Sequence, residues 1–292
     1  MTGPVVKDGS ATPILVLAPP GSDGQTVAAA LGRHPDAYDL PQLNVELEAT
    51  VYDLVFDMIG PRSAQLHGTL RALALLLSGE QSMTSIDMAR RWLMRRLARP
   101  SAEVATWMLS QLAPQRAVVP VSGGLFTTRS RARLAETYPG ADLVIVRRSP
   151  ARFHAAVMAD HAGAAATLLG AYTGSDGTPA TPDPMQLWEM AEDAMEALVA
   201  LMPRARVVDV VPETLAETPL AELHRLADAL GLSTASQDVA AMLHPQASPF
   251  AGPGPYGAHS SGLIRPLDAL AIAPTDPLPD VPAHIEARAA RI

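Results

Sequence analysis

Residues 13–26 read Pro-Ile-Leu-Val-Leu-Ala-Pro-Pro-Gly-Ser-Asp-Gly-Gln-Thr, and this stretch decides the fold. Its first six residues form a short apolar run that is typical of a buried β-strand. Residues 19–24 are rich in proline and glycine and predict a tight turn. An alanine-rich helical pattern then runs from Gln25 to Gly32. The stretch therefore predicts a strand that leads through a turn into the N-terminus of a helix.

The same alternation of strand and helix continues along the chain. Further buried strands are predicted at 117–119, 142–146 and 205–211. Helices are predicted at 43–59, 64–78, 83–98, 101–112, 129–137, 150–170, 185–202, 219–230 and 236–243. Strands that alternate with helices form a parallel sheet with helices on both faces. The sequence thus predicts an α/β fold.

One domain is expected over residues 13–270, with an N-terminal tail at 1–12 and a C-terminal tail at 271–292. The last 48 residues carry nine of the 27 prolines and show no helical or strand period. We expect this end of the chain to follow an irregular path over the surface, with the final dozen residues loosely held. The segment 173–184 is a loop by composition.

The composition excludes several kinds of chemistry. The chain has 292 residues and no cysteine, which excludes disulfides, thiolate zinc sites, iron–sulfur clusters and a cysteine nucleophile. Lys7 is the only lysine, so the 22 basic residues are almost all arginine. A phosphate loop of the G-K-[ST] type and a Schiff-base lysine are therefore excluded as well.

The charge argues against large anionic partners. The net charge is −8 at pH 7, whereas binding to nucleic acid or to an anionic membrane requires a basic surface. The first residues lack the apolar core of an export signal, and no apolar stretch is long enough to cross a bilayer. We therefore expect a soluble, cytoplasmic protein that contacts neither nucleic acid nor membrane.

Two turns are the first places to look for chemistry, because ligands of parallel sheets bind beyond the carboxyl ends of the strands. The turn at 19–26 presents backbone N–H groups at a helix N-terminus, and Ser22 and Thr26 add hydroxyl groups; both features suit a phosphate. Arg147 and Arg148 end the strand at 142–146, and arginine can bind phosphate through two hydrogen bonds. The alternatives are an ordinary capped turn and surface ion pairs.

The order of these features resembles a known family. The motifs that carry the resemblance are residues 13–22, Leu31-Gly-Arg-His-Pro-Asp-Ala-Tyr38, Leu40-Pro-Gln-Leu-Asn44, His67-Gly-Thr-Leu-Arg71, Leu143-Val-Ile-Val-Arg-Arg-Ser-Pro150, Leu226-Ala-Asp-Ala-Leu-Gly-Leu232, His244-Pro-Gln-Ala-Ser-Pro-Phe250 and Gly252-Pro-Gly-Pro-Tyr-Gly257. Together they resemble bacterial sulfotransferases of natural-product and polyketide pathways, which use 3′-phosphoadenosine 5′-phosphosulfate (PAPS). The resemblance spans about residues 13–270. It implies a P-loop-like parallel sheet with helices on both faces and largely helical insertions.

The resemblance also implies where PAPS binds. The 5′-phosphosulfate would lie on the turn formed by Pro20, Gly21, Ser22, Asp23, Gly24, Gln25 and Thr26, and Arg148 would hold the 3′-phosphate. The chain departs from the family pattern at several positions. Asp23-Gly24-Gln25 replaces Gly-Thr-Thr, the arginine or tyrosine expected before Glu213 is absent, and Pro120-Val-Ser-Gly123 replaces Glu-Lys-Ser-Pro. Gly21 stands where the family has a basic residue, and Ala156 stands where it has a serine eight residues after the arginine. Arg148, rather than Arg147, is expected to face the phosphate.

The resemblance further suggests a catalytic base and a function. His67 occurs in a His-Gly context that faces the acceptor in related enzymes, and a neutral imidazole could take a proton from an acceptor hydroxyl. The alternative role for His67 is structural, as a partly buried side chain bonded to a carbonyl. The first hypothesis is sulfuryl transfer to a hydroxyl of a secondary metabolite, either free or bound to a carrier protein. The second is a protein of the same fold that no longer uses PAPS and serves the pathway in another way.

A metal site is not expected. His154 and His161 are seven residues apart on one predicted helical face, but the sequence supplies no third ligand for them.

Overall fold

The computed structural model describes residues 11–58, 62–161, 183–255, 264–271 and 280–292. These residues contain a five-stranded sheet, in which every neighbouring pair of strands is parallel. The strands are β1 (Ile14–Leu17), β2 (Ala37–Asp39), β3 (Arg116–Val121), β4 (Asp142–Val146) and β5 (Val207–Val210). Their order across the sheet is β2-β3-β1-β4-β5, so β1 is central. The predicted α/β fold with a parallel sheet is confirmed.

Helices connect the strands. Within the described residues they are α1 (Gly24–Gly32), α2 (Val51–Phe56), α3 (Ala64–Ser78), α4 (Met83–Met94), α5 (Ala102–Leu112), α6 (Thr128–Thr137), α7 (Pro150–Ala156), α8 (Pro184–Leu201), α9 (Pro212–Glu217), α10 (Pro219–Leu230), α11 (Ser236–Ala241) and α12 (Ala283–Ala289). The chain continues from α7 into a π-helical turn over Val157–His161. No described helix is both long enough and apolar enough to span a membrane.

The central strand is buried on both faces, which explains its continuous apolar run. Successive side chains of a strand point to opposite faces. Leu15 and Leu17 therefore join a core under α3, α4 and α5, whereas Ile14 and Val16 join a second core under α1 and α10. The sheet is a layer between two apolar cores, and its carboxyl edge is held firmly between them.

The predicted boundaries differ from the structure in several places. Strand β2 is absent from the predicted elements because it has only three residues and ends in an aspartate. The predicted helix at 43–59 is instead a single 3-10 turn, Val45–Leu47, followed by α2. Helix α9 also lies beyond the predicted elements. The predicted helix at 150–170 is observed as α7 and the π-helical turn up to residue 161, and residues 162–170 lie outside the described residues. Most of the predicted loop at 173–184 also lies outside them.

The end of the chain is more ordered than its composition indicates. Helix α12 packs against α7 and α8 through Ile285, which is buried beside Phe153 and Trp188. The expectation of a loose final dozen residues is therefore wrong. A helix of seven residues with one buried side chain is too short to show a helical period in the sequence.

The turn after β1 has an unusual backbone and is closely packed. Gly21 has a φ of +92° and Asp23 a φ of 56°, both in the region that favours glycine or, for the second, aspartate. A Cβ atom at position 21 would lie 2.9 Å from Cγ2 of Val157 and 3.6 Å from the Cβ of Ala156. The end of α7 therefore packs directly on the turn and leaves no room there for a side chain.

Replacing Gly21 should be costly for two separable reasons. Gly21→Ala forces alanine into a positive φ, at a cost of about 1–3 kcal/mol, and adds a clash of about 1–3 kcal/mol with Val157. Gly140→Ala is the matched control, because Gly140 has a φ of +80° and a methyl group added there would meet no described atom within 4 Å. In denaturant unfolding, Gly21→Ala should therefore lower stability more than Gly140→Ala.

A double-mutant cycle isolates the clash. Val157→Ala should recover the excess cost of Gly21→Ala and leave the cost of Gly140→Ala unchanged. Equal losses for the two glycine variants, or no coupling between positions 21 and 157, would contradict the close packing of α7 on this turn.

Candidate active site

The carboxyl ends of β1 and β4 bring Arg148 to the turn after β1. These strands are direct neighbours, so the residues that follow them meet at one edge of the sheet. The Arg148 side chain is completely buried, and its Nη2 donates to Oδ2 of Asp23 at 2.6 Å. Its Nη1 donates to Oε1 of Glu213 at 2.5 Å. Arg148 is thus held between one carboxylate from the turn and another from the first turn of α9.

Arg147 points elsewhere. Its guanidinium donates to the carboxylates of Glu192 on α8 and Asp209 on β5, and its side chain is 19% exposed. Burial raises the pKa of Glu192, while the nearby Arg147 opposes that rise. Arg147 therefore forms ion pairs away from the turn after β1, whereas Arg148 is the arginine that contacts this turn. The Nε1 of Trp188 donates to the Arg148 carbonyl at 3.1 Å and fixes the backbone there.

Residues 264–271, here called the covering segment, lie against the same turn. The backbone N–H of Arg265 donates to Oγ1 of Thr26 at 3.1 Å, and Nε of Arg265 lies 3.6 Å from Oδ1 of Asp23. The Leu270 carbonyl accepts from Nη2 of Arg148 at 3.2 Å. The covering segment therefore adds a second arginine to the site and contacts the buried Arg148 directly.

Four buried polar atoms around the turn have no hydrogen-bond partner within the described part of the chain. They are Ser22 Oγ, Gln25 Nε2, Arg148 Nε and Glu213 Oε2. Leaving a buried polar atom unpaired costs about 1–3 kcal/mol, so a site with several of them is suited to a polar ligand. Three of the four can donate a hydrogen bond, which is what an anionic group requires.

The charges at the site fit such a ligand only in part. Ser22 in the turn and Gln25 in the first turn of α1 offer hydrogen-bond donors to an anionic group. The formal charges are balanced, however, because Arg148 and Arg265 face Asp23 and Glu213. Both terminal nitrogens of Arg148 already bind carboxylates, so a 3′-phosphate does not fit there while Asp23 remains in place.

The sequence predicts binding through residues 20–26 of the turn, and the structure distinguishes their positions. Ser22 and Gln25 are the buried members whose unpaired atoms are available. Gly24 packs on Ala18, where a Cβ atom would collide with the alanine side chain. Pro20 and Asp23 are the partly exposed residues of the turn. The binding role of these residues, and that of Arg148, stays a prediction.

His67 lies in the first half of α3, beyond the carboxyl end of β2. Gly68 packs on the Gln42 carbonyl with no room for a side chain, and the Thr69 hydroxyl donates to the Leu43 carbonyl. These contacts fix the helix on the segment that follows β2. His67 is therefore at the same edge of the sheet as Arg148, but three strands further along.

The environment of His67 favours the neutral imidazole. Burial lowers its pKa from the usual 6.5, and the positive charges of Arg90 and Arg71 lower it further. Its Nδ1 is buried and has no hydrogen-bond partner among the residues described. Among the described residues this nitrogen makes no bond to a carbonyl, and the choice between a base and a structural residue stays a prediction. The His67 residue as a whole is partly exposed, and a neutral imidazole that an acceptor can reach is able to take a proton.

A cavity opens one helical turn further along α3. It has a volume of about 450 Å³ and is lined by Arg71, Gln81, Ser82, Met83, Pro249, Ala251, Pro253, Gly254 and Pro255. Arg71 is held by Oε1 of Gln81 at 2.6 Å and lies over the ring of Phe250. The volume is within the range of small-molecule sites, about 300–1,000 Å³.

Sequence reasoning missed three charged residues near this edge. Glu213 and Arg265 belong to the Arg148 site, yet they lie 65 and 117 residues away from Arg148 in the chain. Glu46 is buried against Gly124, which follows β3, and burial raises its pKa to about 7. A glutamate that follows a strand–helix junction is a weak signal for Glu213, and the sequence holds none for the other two.

No metal site is apparent in the ranges that the structure covers, since no three of their His, Asp or Glu side chains are grouped to hold an ion. The His161 side chain lies outside those ranges. The expectation that no metal takes part stays a prediction.

Comparisons with known proteins agree with this architecture. A family model described as "Sulfotransferase family" matches residues 13–236. The solved "Sulfotransferase Domain from the Curacin Biosynthetic Pathway" is 17% identical, with a TM-score of 0.70 over 96% of this chain and 97% of that one. The "Sulfotransferase Domain from the Synechococcus PCC 7002 Olefin Synthase" is 18% identical, with a TM-score of 0.66 over 99% and 98%. No curated protein matches.

The two structural neighbours establish the fold over nearly the whole chain, and the family model covers most of the sequence. Together with the parallel sheet and the arginine at its carboxyl edge, they lead to one conclusion: the chain belongs to the sulfotransferase family, a family of transferases.

Proposed function

We propose that this protein transfers a sulfuryl group from PAPS to a hydroxyl group of a small-molecule acceptor. Membership of the sulfotransferase family supports the transferase activity. One observation carries the choice of donor site: Ser22 Oγ, Gln25 Nε2 and Arg148 Nε are buried, unpaired within the described chain and grouped at the turn after β1. The N-terminus of α1 adds the positive end of its helix dipole to this group.

The residues of the turn would hold the 5′ end of the donor, and Arg148 would hold the 3′-phosphate once Asp23 has moved aside. When bound, PAPS supplies the sulfuryl group, with adenosine 3′,5′-bisphosphate as the leaving group. The usual basic residue is missing at position 21, and no side chain fits there. The removal of a donor to a developing negative charge costs about 2.7–4 kcal/mol, so we expect weak donor binding and slow turnover.

His67 would act as the base. The acceptor hydroxyl loses its proton as its oxygen bonds to sulfur, and a neutral imidazole can take that proton. Because burial and two arginines keep the pKa of His67 below 6.5, the imidazole is ready to accept a proton at neutral pH. This environment supports a base more than it supports a structural cation.

The acceptor would enter the cavity beside Arg71. This residue is one helical turn from His67, so a molecule in the cavity could bring a hydroxyl group to the imidazole. The structural neighbours are named for the curacin pathway and an olefin synthase, which supports a secondary-metabolite acceptor. A hydroxyl on a chain carried by a partner protein and a free hydroxyl compound are both compatible with an open cavity.

A second candidate function rests on a specific observation. The site is formally neutral, with both terminal nitrogens of Arg148 bound to carboxylates. In a protein that no longer binds PAPS, Arg148 could stay paired with both carboxylates, because no phosphate would need its terminal nitrogens. Direct binding of adenosine 3′,5′-bisphosphate distinguishes the two candidates.

The donor site can be tested through Arg148. Lysine keeps the positive charge at this position but loses the forked donors of the guanidinium. Arg148→Lys should weaken the binding of adenosine 3′,5′-bisphosphate at least several-fold in calorimetric titration, whereas Arg147→Lys, the adjacent control, should leave it unchanged. Equal effects would show that Arg148 does not face the donor, and no binding to the unmodified protein would favour the second candidate.

The base can be tested through His67. His67→Gln should abolish the PAPS-dependent sulfation of a panel of hydroxy acids and phenols, while the melting temperature and the affinity for adenosine 3′,5′-bisphosphate remain nearly unchanged. A base works in its neutral form, so the rate of the unmodified protein should be constant above the lowered pKa and fall as the pH drops through it. The partly exposed His154, replaced by Gln, is the control.

Loss of melting temperature in His67→Gln comparable to that of a core deletion would instead assign a structural role to this histidine. A rate profile without an acidic limb below pH 6.5 would also contradict its role as the base.

A further inference from the structure

We propose that the Asp23 carboxylate takes the place of a donor phosphate on Arg148, and that Asp23 thereby sets the affinity of the protein for its sulfuryl donor. The inference rests on the proposed function, because it identifies what the donor has to displace. Asp23 would then be a specificity-determining residue, because its negative charge weakens the binding of anions at the turn after β1.

The position of Asp23 in the chain makes its orientation informative. Asp23 precedes the first residue of α1, where an aspartate usually accepts a hydrogen bond from the free N–H groups of the helix. Its side chain makes no such bond. The carboxylate instead accepts from Nη2 of Arg148 at 2.6 Å and lies 3.6 Å from Nε of Arg265. Asp23 therefore faces the two cations of the site and not the helix.

A carboxylate and a phosphate compete for the same partner. Both accept charge-assisted hydrogen bonds from the terminal nitrogens of a guanidinium. Asp23 and Glu213 use Nη2 and Nη1 of Arg148, and the side chains of these three residues are less than 10% exposed. A phosphate that approached Arg148 would find only Nε unpaired within the described chain, and it would lie beside two negative charges.

Of the two carboxylates, Asp23 is the one that a donor would displace. Asp23 belongs to the turn after β1, the segment where the 5′ end of the donor would lie, and it is also the one that contacts Arg265 of the covering segment. Glu213 lies in α9, which follows β5, and it pairs with the other terminal nitrogen of Arg148. If Asp23 turns away, Arg148 keeps Glu213 as a counter-ion and regains a free pair of donors for phosphate.

The alternative is that Asp23 is only a structural partner of Arg148. In that case its neutralisation would weaken the fold without creating affinity for anions. Asp23→Asn separates the two roles, because asparagine is nearly the same size, tolerates the left-handed backbone of residue 23 and carries no charge. Asp23→Gly, which suits that backbone as well, is the second variant.

The matched control is Asp142→Asn. Asp142 pairs with Nη2 of Arg116 at the same distance, 2.6 Å, and both side chains are 14% exposed. This pair lies at the amino ends of β3 and β4, the opposite edge of the sheet. It therefore reproduces the loss of an ion pair without touching the proposed site.

The experiment measures the affinity of the full chain for adenosine 3′,5′-bisphosphate by calorimetric titration, with adenosine as the uncharged probe. Asp23→Asn and Asp23→Gly should each bind the bisphosphate at least tenfold more tightly than the unmodified protein, and Asp142→Asn should bind it equally. Inorganic sulfate should raise the melting temperature of the two Asp23 variants more than that of the unmodified protein.

Each outcome decides something. Unchanged binding in both Asp23 variants, beside clear binding to the unmodified protein, would overturn the inference and leave the proposed function standing. Binding only to the Asp23 variants would support the inference and contradict the use of PAPS by the native chain. No binding to any variant would overturn both. A gain for adenosine as large as the gain for the bisphosphate would also overturn the inference, because adenosine carries no phosphate.

Discussion

The ion pairs of Arg148 are the interaction on which the arrangement of this edge of the sheet depends. A guanidinium that is fully buried must be paired, because an unpaired charge is very costly away from water. The pairing requires a carboxylate from the turn after β1 and another from α9. The turn after β1, the residues that follow β4 and the start of α9 therefore meet at Arg148. The covering segment contacts the same side chain through the Leu270 carbonyl. The same pairing that stabilises this edge also neutralises the charge that an anionic donor would need.

The departures from the family pattern at positions 21 and 156 lie in one place. Gly21 replaces a basic residue and Ala156 replaces a serine, and the structure puts the Cβ of Ala156 within 3.6 Å of where a side chain at position 21 would begin. The loss of a large side chain at position 21 allows the end of α7 to pack on the turn through Val157. The departures thus form a single local change, in which apolar packing replaces polar groups beside the turn. A basic residue could return to position 21 only if Val157 shifted or were replaced by a smaller residue.

The sequence pattern predicted those elements that are determined by residues close together in the chain. The strands β1, β3 and β4 follow from continuous apolar segments, and the rule that ligands bind at carboxyl ends identified the turn and Arg148. The pattern could not predict β2, which ends in the buried Asp39. The carboxylate of Asp39 accepts a hydrogen bond at 2.5 Å from Ser248, which is 209 residues away in the chain. The sequence also could not predict the ion pair between Arg148 and Glu213 or the contact between Arg265 and Asp23. Such pairs depend on the folded path of the chain and leave no period in the sequence.

The site therefore divides into two parts with opposite electrostatic character. Around His67, Arg71 and Arg90 add positive charge, and no carboxylate is paired with Arg71 among the residues that the structure describes. Around Arg148, two carboxylates cancel two arginines. In the proposed reaction the anionic donor would bind at the second part and the base would act at the first. The charges around His67 favour the neutral form that a base needs, whereas the carboxylates around Arg148 oppose the binding of an anion. Donor binding is therefore the step that the charges oppose. Asp23 is the carboxylate of the turn, so its movement or replacement would remove one of the two negative charges beside Arg148.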